Sequence, residues 1–405
     1  MERATQDNVK TRPQTAPTGT GNARSAVSSE MQKAAEAIMR ELKKVIVGKD
    51  DVIRKVLMVI LAGGHILLED VPGVGKTTLA LGLSKVLNLD YRRMQFTPDT
   101  MASDITGFSV YNKETGGLDY KPGAAMCNLF LADEINRTSA KTQAALLEVM
   151  EEGGMTVDGV THKTPDPFVC IATQNPLGSA GTQKLPDSQL DRFMAKLSMG
   201  YPDLKSQVDI VKQRQTSDPM DTVRPLVGAV HIKAMKNAVQ RVRMEDEIIE
   251  YAATLCERTR SMESVEQGVS PRAVLALVQM AKAHALIDGR DYTIPQDVKD
   301  VFIDVCAHRL ILTARAKIRK ETEEKILRDI LKEVRAPGIA ERKSILERKG
   351  GAEQRQAAEK AQTSKQAQNP QPKQSPEKKR LFGKKEAPSK AAEQEKTAET
   401  ERKES

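Results

Sequence analysis

Tryptophan is absent from the sequence, and aromatic residues make up only 3% of its 405 residues. The hydrophobic core must therefore consist mainly of aliphatic side chains. Cysteine is also scarce: Cys127, Cys170, Cys256 and Cys306 are scattered, and no two have the spacing of a zinc site or a redox motif. Cys127 and Cys170 lie in or beside apolar runs, so we expect them to be buried, reduced thiols.

Long apolar segments are absent as well. No run approaches the roughly 20 residues that a membrane-spanning helix requires, and residues 1–25 carry acidic side chains but no apolar signal core. These features predict a protein without a membrane span that resides in the reducing cytoplasm. The five histidines are dispersed along the chain, so the sequence indicates no histidine-based metal site.

Positive charge is in excess, with a formal net charge of +8, but it is unevenly placed. Residues 341–405 contain 17 Lys and Arg against 11 Asp and Glu, and so supply +6 of the total. The preceding residues are nearly neutral and show no basic stripe with interleaved aromatics. This distribution argues against nucleic-acid binding by the folded part.

Composition divides the chain into five segments. Residues 1–28 are polar, and we expect them to be disordered. Residues 29–201 alternate helical patterns with short apolar strands, which predicts an α/β fold with a parallel sheet between helices. Helical periodicity in residues 202–335 predicts a smaller all-helical domain, followed by a helical extension over residues 336–349. Residues 350–405 are rich in Lys, Gln and Ala, and we expect a disordered tail.

The predicted strands are short and apolar, as is typical of a sheet buried on both faces. They lie in the segments GHILLE (from Gly64), YRRMQF (from Tyr91), NLFLAD (from Asn128), FVCIAT (from Phe168) and AKLSM (from Ala195). The stretch SVYNKETGGLDYK, between Asp104 and Gly123, predicts a separate hairpin around a Gly-Gly turn.

Residues 67–80, LLEDVPGVGKTTLA, follow a strand and open a helix, which is the setting of a phosphate-binding loop. The usual pattern is G-x-x-x-x-G-K-[ST], but Asp70 stands where the first glycine is expected. Gly73 and Gly75 would direct backbone N–H groups at phosphate oxygens, and Lys76 would contact the terminal phosphates. A glycine turn with a solvated lysine is the plainer alternative. However, a lysine in the first turn of a helix opposes the helix dipole unless an anion is bound.

The segment LFLADEINR contains an apolar strand that ends in Asp133 and Glu134. An aspartate at this point can bind magnesium, directly or through water, together with the hydroxyl of Thr77. The following glutamate can act as a general base that activates water. Surface acids at a strand end are the alternative. The pair predicts hydrolysis of a nucleotide rather than binding alone, and the sequence indicates no metal site other than this one for magnesium.

Three further polar residues have two interpretations each. Asn175 in CIATQNP could orient a water beside the γ-phosphate, or could belong to a plain Asn-Pro turn. Arg192 in LPDSQLDRF could complete the site of a neighbouring subunit, or could pair with Asp191 or another acid. Arg272 in GVSPRAVLAL falls in the first turn of a helix, where a phosphate would stabilise it, or it could extend into solvent.

Together these segments resemble the MoxR family of AAA+ ATPases. The resemblance covers about residues 30–315 and rests on VIVGKDDVI, GHILLEDVPGVGKTTLA, RMQFTPDTMASDITG, LFLADEINRTSAKTQAALLEVMEE, CIATQNP, GTQKLPDSQLDRF and GVSPRAVLAL. It implies a five-stranded αβα core, a helical lid domain and a ring, usually of six subunits. The predicted hairpin is similar to the insert that this clade projects from one face of the ring.

The resemblance also implies ATP and Mg²⁺ as cofactors and roles for individual residues. The catalytic set implied is Glu134 (Walker B), Asn175 (sensor 1), Arg192 (arginine finger) and Arg272 (sensor 2). The nucleotide would be bound by Val47 and Gly48 on the adenine side and by the Walker A loop, Pro72, Gly73, Val74, Gly75, Lys76, Thr77 and Thr78. Magnesium would be bound by Thr77 and Asp133.

Two departures from the family pattern stand out, whereas Asp70 does not, because the family often has the form LLEDVPG. Lys49 replaces a usual glutamine, which could alter contacts on the adenine side. The segment GAAMCN, residues 123–128, replaces a pattern nearer Gly-Pro-aliphatic-Phe-x-Asn and could alter packing beneath the insert.

The function implied by the resemblance is that of a ring-forming, chaperone-like ATP hydrolase. Such proteins couple ATP turnover to remodelling, maturation or metal-cofactor insertion of a protein client, frequently one with a von Willebrand A domain. Two alternatives stay open. One is a nucleic-acid motor of the same clade, which the near-neutral folded part disfavours. The other is a nucleotide-gated scaffold that binds ATP and presents the tail to partners.

Overall fold

The computed structural model describes residues 20–175, 184–215 and 217–338. The predicted tail, residues 350–405, lies outside these residues, as do most of the predicted helical extension and residues 1–19 of the predicted N-terminal segment. Within the described ranges, no helix is long and apolar enough to cross a membrane.

Strands and helices alternate in the first part of the chain, and helices prevail after it. In chain order the strands are β1 (Ile66–Glu69), β2 (Tyr91–Gln95), β3 (Phe108–Tyr111), β4 (Leu118–Lys121), β5 (Leu129–Asp133), β6 (Gly154–Val157), β7 (Val160–Lys163), β8 (Val169–Gln174), β9 (Ala195–Leu197), β10 (Val265–Gln267) and β11 (Ile311–Leu312). The helices are α1 (Thr20–Leu42), α2 (Asp50–Ala62), α3 (Lys76–Val86), α4 (Ala102–Thr106), α5 (Ala140–Glu152), α6 (Asp187–Leu190), α7 (Leu204–Arg214), α8 (Ala229–Arg241), α9 (Asp246–Arg260), α10 (Pro271–Ile287), α11 (Pro295–Cys306), α12 (Ala314–Ile318) and α13 (Glu323–Glu333). Short 3-10 helices cover Ile135–Arg137, Pro219–Thr222 and Ala307–Arg309.

The five predicted strands form one parallel sheet in the order β2-β5-β8-β1-β9. β1 lies between β8 and β9, so that Ile66 pairs with Ile171 on one side and Ala195 on the other. The predicted α/β fold with helices around a five-stranded parallel sheet is confirmed. Because the strands are parallel, the loops that follow β1, β5 and β8 meet at one edge, where open α/β sheets bind ligands.

Side chains of the central strands alternate between two hydrophobic clusters, as the period of two in a strand requires. Leu67 packs with Phe130 and Phe193 in one cluster, whereas Ile66 and Leu68 belong to the other. The second cluster continues through α1 and α2 into helices α8 to α11. The strand-containing half and the helical half of the chain therefore share an aliphatic core.

The helical half contains one element that was not predicted. β10 and β11 pair as antiparallel strands, with Val265 opposite Leu312. Each strand is too short to produce the alternating pattern by which strands are identified in a sequence. The prediction of an all-helical domain is therefore corrected to a helical domain with one small β-ladder.

The first helix also begins earlier than predicted. α1 starts at Thr20, whereas the sequence predicts disorder through residue 28 and a helix from Ser29. The polar composition of residues 20–28 favours disorder, but Ala23 and Ala26 have high helix propensity. α2 ends at a glycine: Gly63 has a left-handed φ of 80°, which residues with a side chain rarely adopt.

Two β-hairpins project outside the main sheet. The predicted one consists of β3 and β4, with Phe108 opposite Lys121, and its turn is closed by a hydrogen bond from the Asn112 N–H to the Gly117 carbonyl at 2.8 Å. The second, β6 and β7, was not predicted. Its turn is the dipeptide Asp158-Gly159, and both residues have positive φ, which is a common hairpin signal.

The cysteines are all buried and unpaired, including the two predicted to be so. Burial raises the pKa of the Cys127 thiol to about 12, and it raises the pKa of Cys170 as well. Both thiols therefore stay protonated at neutral pH, which fits a packing role for these side chains.

Two packed histidines make stability depend on pH. Burial lowers the pKa of His65 to about 4, and burial with the neighbouring Arg309 lowers that of His308. His65 is neutral in the fold: its Nδ1 accepts from the Cys170 N–H at 3.0 Å, and its Nε2 lies 2.9 Å from the Met150 carbonyl.

The unfolded chain binds a proton at His65 near pH 6.5, but the folded chain does so only near pH 4. Stability is therefore lost as pH falls through this window, by up to about 3 kcal/mol for His65. Chemical unfolding at pH 7 and pH 4.5 measures the loss. His65→Gln should reduce the pH dependence, whereas substitution of the exposed His231 should not. Equal pH dependence in all three proteins would contradict this assignment.

Candidate nucleotide site

A cleft of about 490 Å³ opens at the carboxyl edge of the main sheet. The whole predicted phosphate loop lines it, together with Asp133, Glu134 and Asn175 from the ends of β5 and β8. Val47 and residues of α7 also line the cleft. The structure thus brings together most of the residues that the sequence predicts to bind and hydrolyse a nucleotide.

The phosphate loop connects β1 to α3 and exposes backbone N–H groups. Gly73 and Gly75 have φ values of 85° and 99°, a left-handed conformation that glycine adopts without steric cost. Gly75 directly precedes α3, and no side chain caps that end of the helix. The N–H groups of the first helical turn and the helix dipole are therefore available to an anion in the cleft.

Lys76 lies in the first turn of α3 and is only 8% exposed. Its ammonium donates to the Asp70 carbonyl at 2.7 Å and lies 3.4 Å from Asn175 Oδ1. Burial lowers the pKa of this lysine, and the carboxylates of Asp70, Asp133 and Glu134 oppose that effect. A polyanion in the cleft would also favour the charged ammonium. The lysine is therefore not the solvated side chain of the plainer interpretation.

Asp70, the residue in place of the first glycine, has a structural role. Its buried carboxylate accepts hydrogen bonds from the Ser198 hydroxyl at 2.8 Å, from the Met199 N–H at 2.5 Å and from the Gly200 N–H at 3.0 Å. These donors follow β9, so Asp70 ties the start of the phosphate loop to the neighbouring strand end. Its side chain is directed at protein donors rather than at the site of the phosphates.

Asp70→Ala should lower the free energy of unfolding by about 3 kcal/mol, because three donors lose a charged acceptor in a buried setting. Asp70→Asn should lose less, since the amide oxygen still accepts hydrogen bonds. Urea unfolding of the three proteins measures the difference. A loss below about 0.5 kcal/mol for the alanine variant, the range of ordinary surface substitutions, would contradict the role of Asp70 as an anchor.

Asp133 is held by residues of two neighbouring strands. Thr173 donates to Oδ1 at 2.6 Å, and Arg93 Nη2 donates to Oδ2 at 2.7 Å. Asp133 and Thr77 both line the cleft beside Lys76. A carboxylate and a hydroxyl are the oxygen ligands that Mg²⁺ prefers, and magnesium usually binds one or two such groups plus phosphates and waters. The donor set fits magnesium.

Glu134 has a backbone conformation that is unusual for a residue with a side chain. Its φ of 58° and ψ of 47° are left-handed, which costs about 1–3 kcal/mol and is frequent at functional sites. Its N–H donates to the Thr173 hydroxyl at 2.9 Å, which helps to hold this conformation. The result is a carboxylate turned into the cleft instead of along the strand.

The Glu134 carboxylate has three hydrogen-bond donors. Asn175 Nδ2 donates to Oε1 at 2.8 Å, and Gln95 and Arg137 each donate to Oε2 at 2.8 Å. Such a network fixes the orientation of the carboxylate. Asn175 also lies beside Lys76, so it links the glutamate to the phosphate loop.

Sequence reasoning assigned no role to Gln95, Arg93, Thr173 or Arg137. Gln95 and Thr173 lie near the carboxyl ends of β2 and β8, on the same edge as Asp133. Because parallel strands bring their carboxyl ends together, a polar residue at each strand end was the signal that could have identified them.

The sequence predicts that Val47 and Gly48 lie beside the adenine of a bound nucleotide. Val47 lines the cleft, whereas Gly48 supports it: its φ is 72°, and a Cβ there would lie 2.1 Å from Ser206 Oγ of α7. Lys49, the departure from the family pattern, lines the cleft and donates to the Tyr201 carbonyl at 2.8 Å. A side chain at position 48 would therefore push α7 away from this wall.

Arg192 and Arg272 are not among the cleft-lining residues of the described chain. Both pair with Glu151 near the end of α5: Arg192 Nη1 lies 2.8 Å from Glu151 Oε2, and Arg272 Nη2 bonds to Glu151 Oε1. The alternative of an intrachain ion pair therefore holds for Arg192 in a single subunit, with Glu151 rather than Asp191 as its partner. Arg272 is paired and does not simply extend into solvent.

Two protein-family models match parts of the chain. Residues 65–195 match the ATPase family associated with various cellular activities (AAA), and residues 257–330 match the AAA lid domain. The chain is 35% identical to Chaperone MoxR1 of Mycobacterium tuberculosis over 322 residues, which cover 77% of this chain and 85% of that protein.

The chain belongs to the MoxR family of AAA+ ATPases.

Two further proteins are similar to this chain. The uncharacterised protein YeaC of Bacillus subtilis is 46% identical over 299 residues, covering 74% of this chain and 93% of that protein. A solved structure from Cytophaga hutchinsonii, named only provisionally as an ATPase, superposes with a TM-score of 0.73 at 34% identity. It covers 79% of this chain and 98% of that one. The similarity extends over nearly the full length of both proteins.

Proposed function

We propose that this MoxR protein binds ATP with Mg²⁺ and hydrolyses it to ADP and phosphate. The observation that carries the proposal is the placement of Glu134 in the cleft beside Lys76, with Asn175 hydrogen-bonded to Glu134 and next to the lysine. A binding-only site needs the phosphate loop but not a carboxylate held in a strained conformation by three donors.

The phosphates would be bound by the N-terminus of α3. The N–H groups around Gly73 and Gly75 donate to phosphate oxygens, and the Lys76 ammonium contacts the terminal phosphates. Thr77 and Asp133 would hold magnesium, which neutralises charge on the phosphates when it is bound. The adenine would lie between Val47 and α7.

Glu134 would accept the proton of the attacking water. The water oxygen bonds to the γ-phosphorus as the bond to the bridging oxygen of ADP breaks, and the water proton passes to the Glu134 carboxylate. Asn175 orients both the carboxylate and the water beside the γ-phosphate. Gln95 and Arg137 keep the carboxylate in place.

We further propose that subunits assemble into a ring, usually a hexamer in this family, in which Arg192 and Arg272 act on the nucleotide of a neighbour. Support comes from α7, whose Ile210, Gln213 and Arg214 line the cleft. On its opposite side, Leu204 and Val211 are 78% and 59% exposed and align with Val208 at helical spacing. An exposed apolar stripe on the outer wall of the cleft is typical of an interface.

The cellular role we propose is remodelling or maturation of a protein client, including insertion of a metal cofactor. The name of the Mycobacterium tuberculosis relative, a chaperone, supports a protein client. A von Willebrand A-domain protein is the proposed client class. The cytoplasmic location and the absence of nucleic-acid binding stay predictions from the sequence.

Lys76→Ala should weaken ATP binding and abolish steady-state phosphate release by the purified protein. The substitution removes the charged contact to the terminal phosphates but leaves Asp133 and Glu134 intact. Calorimetry measures the affinity, and Lys85→Ala near the end of the same helix serves as control. Unchanged affinity would mean that the loop is a structural turn. Normal binding without turnover in the wild-type protein would favour the nucleotide-gated scaffold instead.

A further inference from the structure

A single carboxylate joins the two arginines that lie outside the cleft. Glu151 is in the last turn of α5, Arg192 follows α6, and Arg272 is in the first turn of α10. Each oxygen of the Glu151 carboxylate bonds to one guanidinium, at 2.8 Å for Arg192. Sequence reasoning assigned no role to Glu151.

The two helix ends favour this arrangement. Arg192 Nη1 also donates to the Leu147 carbonyl at 3.2 Å, so one cation lies at the negative end of the α5 dipole. Arg272 lies at the positive end of α10, where a cation alone is disfavoured. The Glu151 carboxylate stands at the place where an anion relieves that conflict.

The chain beside Arg192 is anchored independently. The Asp191 carboxylate accepts from Arg309 Nε at 2.7 Å and from the Ser270 hydroxyl at 2.9 Å. Arg309 is only 2% exposed in this pair, so the backbone at Arg192 is fixed against the helical domain. The side chains of Arg192 and Arg272 are 33% and 45% exposed, so each of them can still change its conformation.

We infer that Glu151 is a positioning residue that holds Arg192 and Arg272 as one convergent pair for the nucleotide of a neighbouring subunit. Two guanidinium groups side by side repel each other, and the carboxylate between them offsets one of the two charges. The pair retains a net positive charge, which attracts a phosphate.

A phosphate can bind to the two arginines while Glu151 stays bonded to both of them. A guanidinium has five N–H donors, and Glu151 engages one nitrogen of each arginine. The other donors can contact phosphate oxygens while the carboxylate stays in place. The ordering of two flexible side chains is then complete before the neighbour binds, which is how preorganised sites reduce the cost of reaching the transition state.

The inference rests on the proposed action of Arg192 and Arg272 across a subunit interface. Glu151→Gln should lower kcat for ATP hydrolysis by between about 10- and 100-fold, the scale expected when catalytic groups lose their alignment. KM for ATP should stay within about twofold of the wild-type value, because the phosphate loop is untouched. Glu152→Gln, at the next residue of the same helix end, should leave kcat unchanged.

Two further variants separate positioning from a general structural role. Glu151→Asp keeps the charge and should recover much of the lost kcat, and it also serves if the glutamine variant folds poorly. In a background with Arg192→Ala and Arg272→Ala together, Glu151→Gln should cause no further loss, since it acts only through those arginines. A further fall in that background, or a fall in Tm that parallels kcat, would overturn the inference.

The outcomes also distinguish this inference from the proposed function. If Arg192→Ala left kcat unchanged, the proposed action of the arginines would fail, and the role of Glu151 with it. If Arg192→Ala abolished turnover while Glu151→Gln kept the wild-type kcat, only the role of Glu151 would be rejected.

Discussion

Arg192→Ala is expected to lower ATP hydrolysis by about 10³–10⁵-fold, the range for an arginine that acts in trans on a nucleotide. ATP affinity should stay near the wild-type value. The reason is spatial: Arg192 lies outside its own cleft, which keeps Lys76, Thr77, Asp133 and Glu134 intact. Phosphate release gives the rate, and a fluorescent ATP analogue gives the affinity.

A control variant makes this result specific. Arg258→Ala, in the helical domain, removes an ion pair with Glu333 and a hydrogen bond to Ser261, and it should change the rate little. Turnover by Arg192→Ala within about threefold of the wild-type rate would leave Arg192 as an ordinary partner of Glu151.

Glu134→Gln is expected to lower turnover by about 10²–10⁴-fold, the usual effect of losing a general base. The amide can still accept a hydrogen bond, but it cannot take the proton of the attacking water. ATP should still bind, because the phosphate loop and both proposed magnesium ligands remain. Single-turnover kinetics with prebound ATP measures the chemical step directly.

Glu148→Gln is the matched control for this variant, since Glu148 is exposed on α5. It should hydrolyse ATP at the wild-type rate. Hydrolysis by Glu134→Gln at a similar rate would remove Glu134 from the catalytic role. The Glu134→Gln protein should also retain clients that depend on the ATP-bound state, which makes it suitable for affinity capture of the client.

Much of the fold follows from local sequence patterns. The five sheet strands are short apolar runs between helical segments, and the β3–β4 hairpin has a glycine turn. The β10–β11 ladder could not be predicted, because its strands are only two and three residues long. The β6–β7 hairpin could have been, since Asp158-Gly159 is a recognisable turn signal.

Site residues that lie within one short motif could be predicted from the sequence. Residues that are distant in the sequence and become neighbours only in the folded chain were harder to predict. Lys76, Thr77, Asp133 and Glu134 sit in short motifs with known chemistry, and the structure brings them to one cleft. The surroundings of Glu134 depend on strand order, which places Gln95 and Asn175 beside it although they are far apart in the chain.

The arginines show a further reason why sequence alone is insufficient. The motifs identify Arg192 and Arg272 separately, but only the tertiary fold brings both to the Glu151 carboxylate. Asp70 is similar: its identity looked like a departure from the phosphate-loop pattern, and its three donors after β9 explain it.

The central claim, that each nucleotide site is completed by an arginine of a neighbour, is tested most directly by mixing Arg192→Ala and Glu134→Gln proteins. Subunit exchange is first demonstrated with labelled subunits. At some mixed interfaces an Arg192→Ala subunit supplies the working Glu134, and its Glu134→Gln neighbour supplies the arginine. ATPase activity should therefore rise above that of either variant alone. No recovery at any mixing ratio, despite demonstrated exchange, would contradict action of Arg192 in trans.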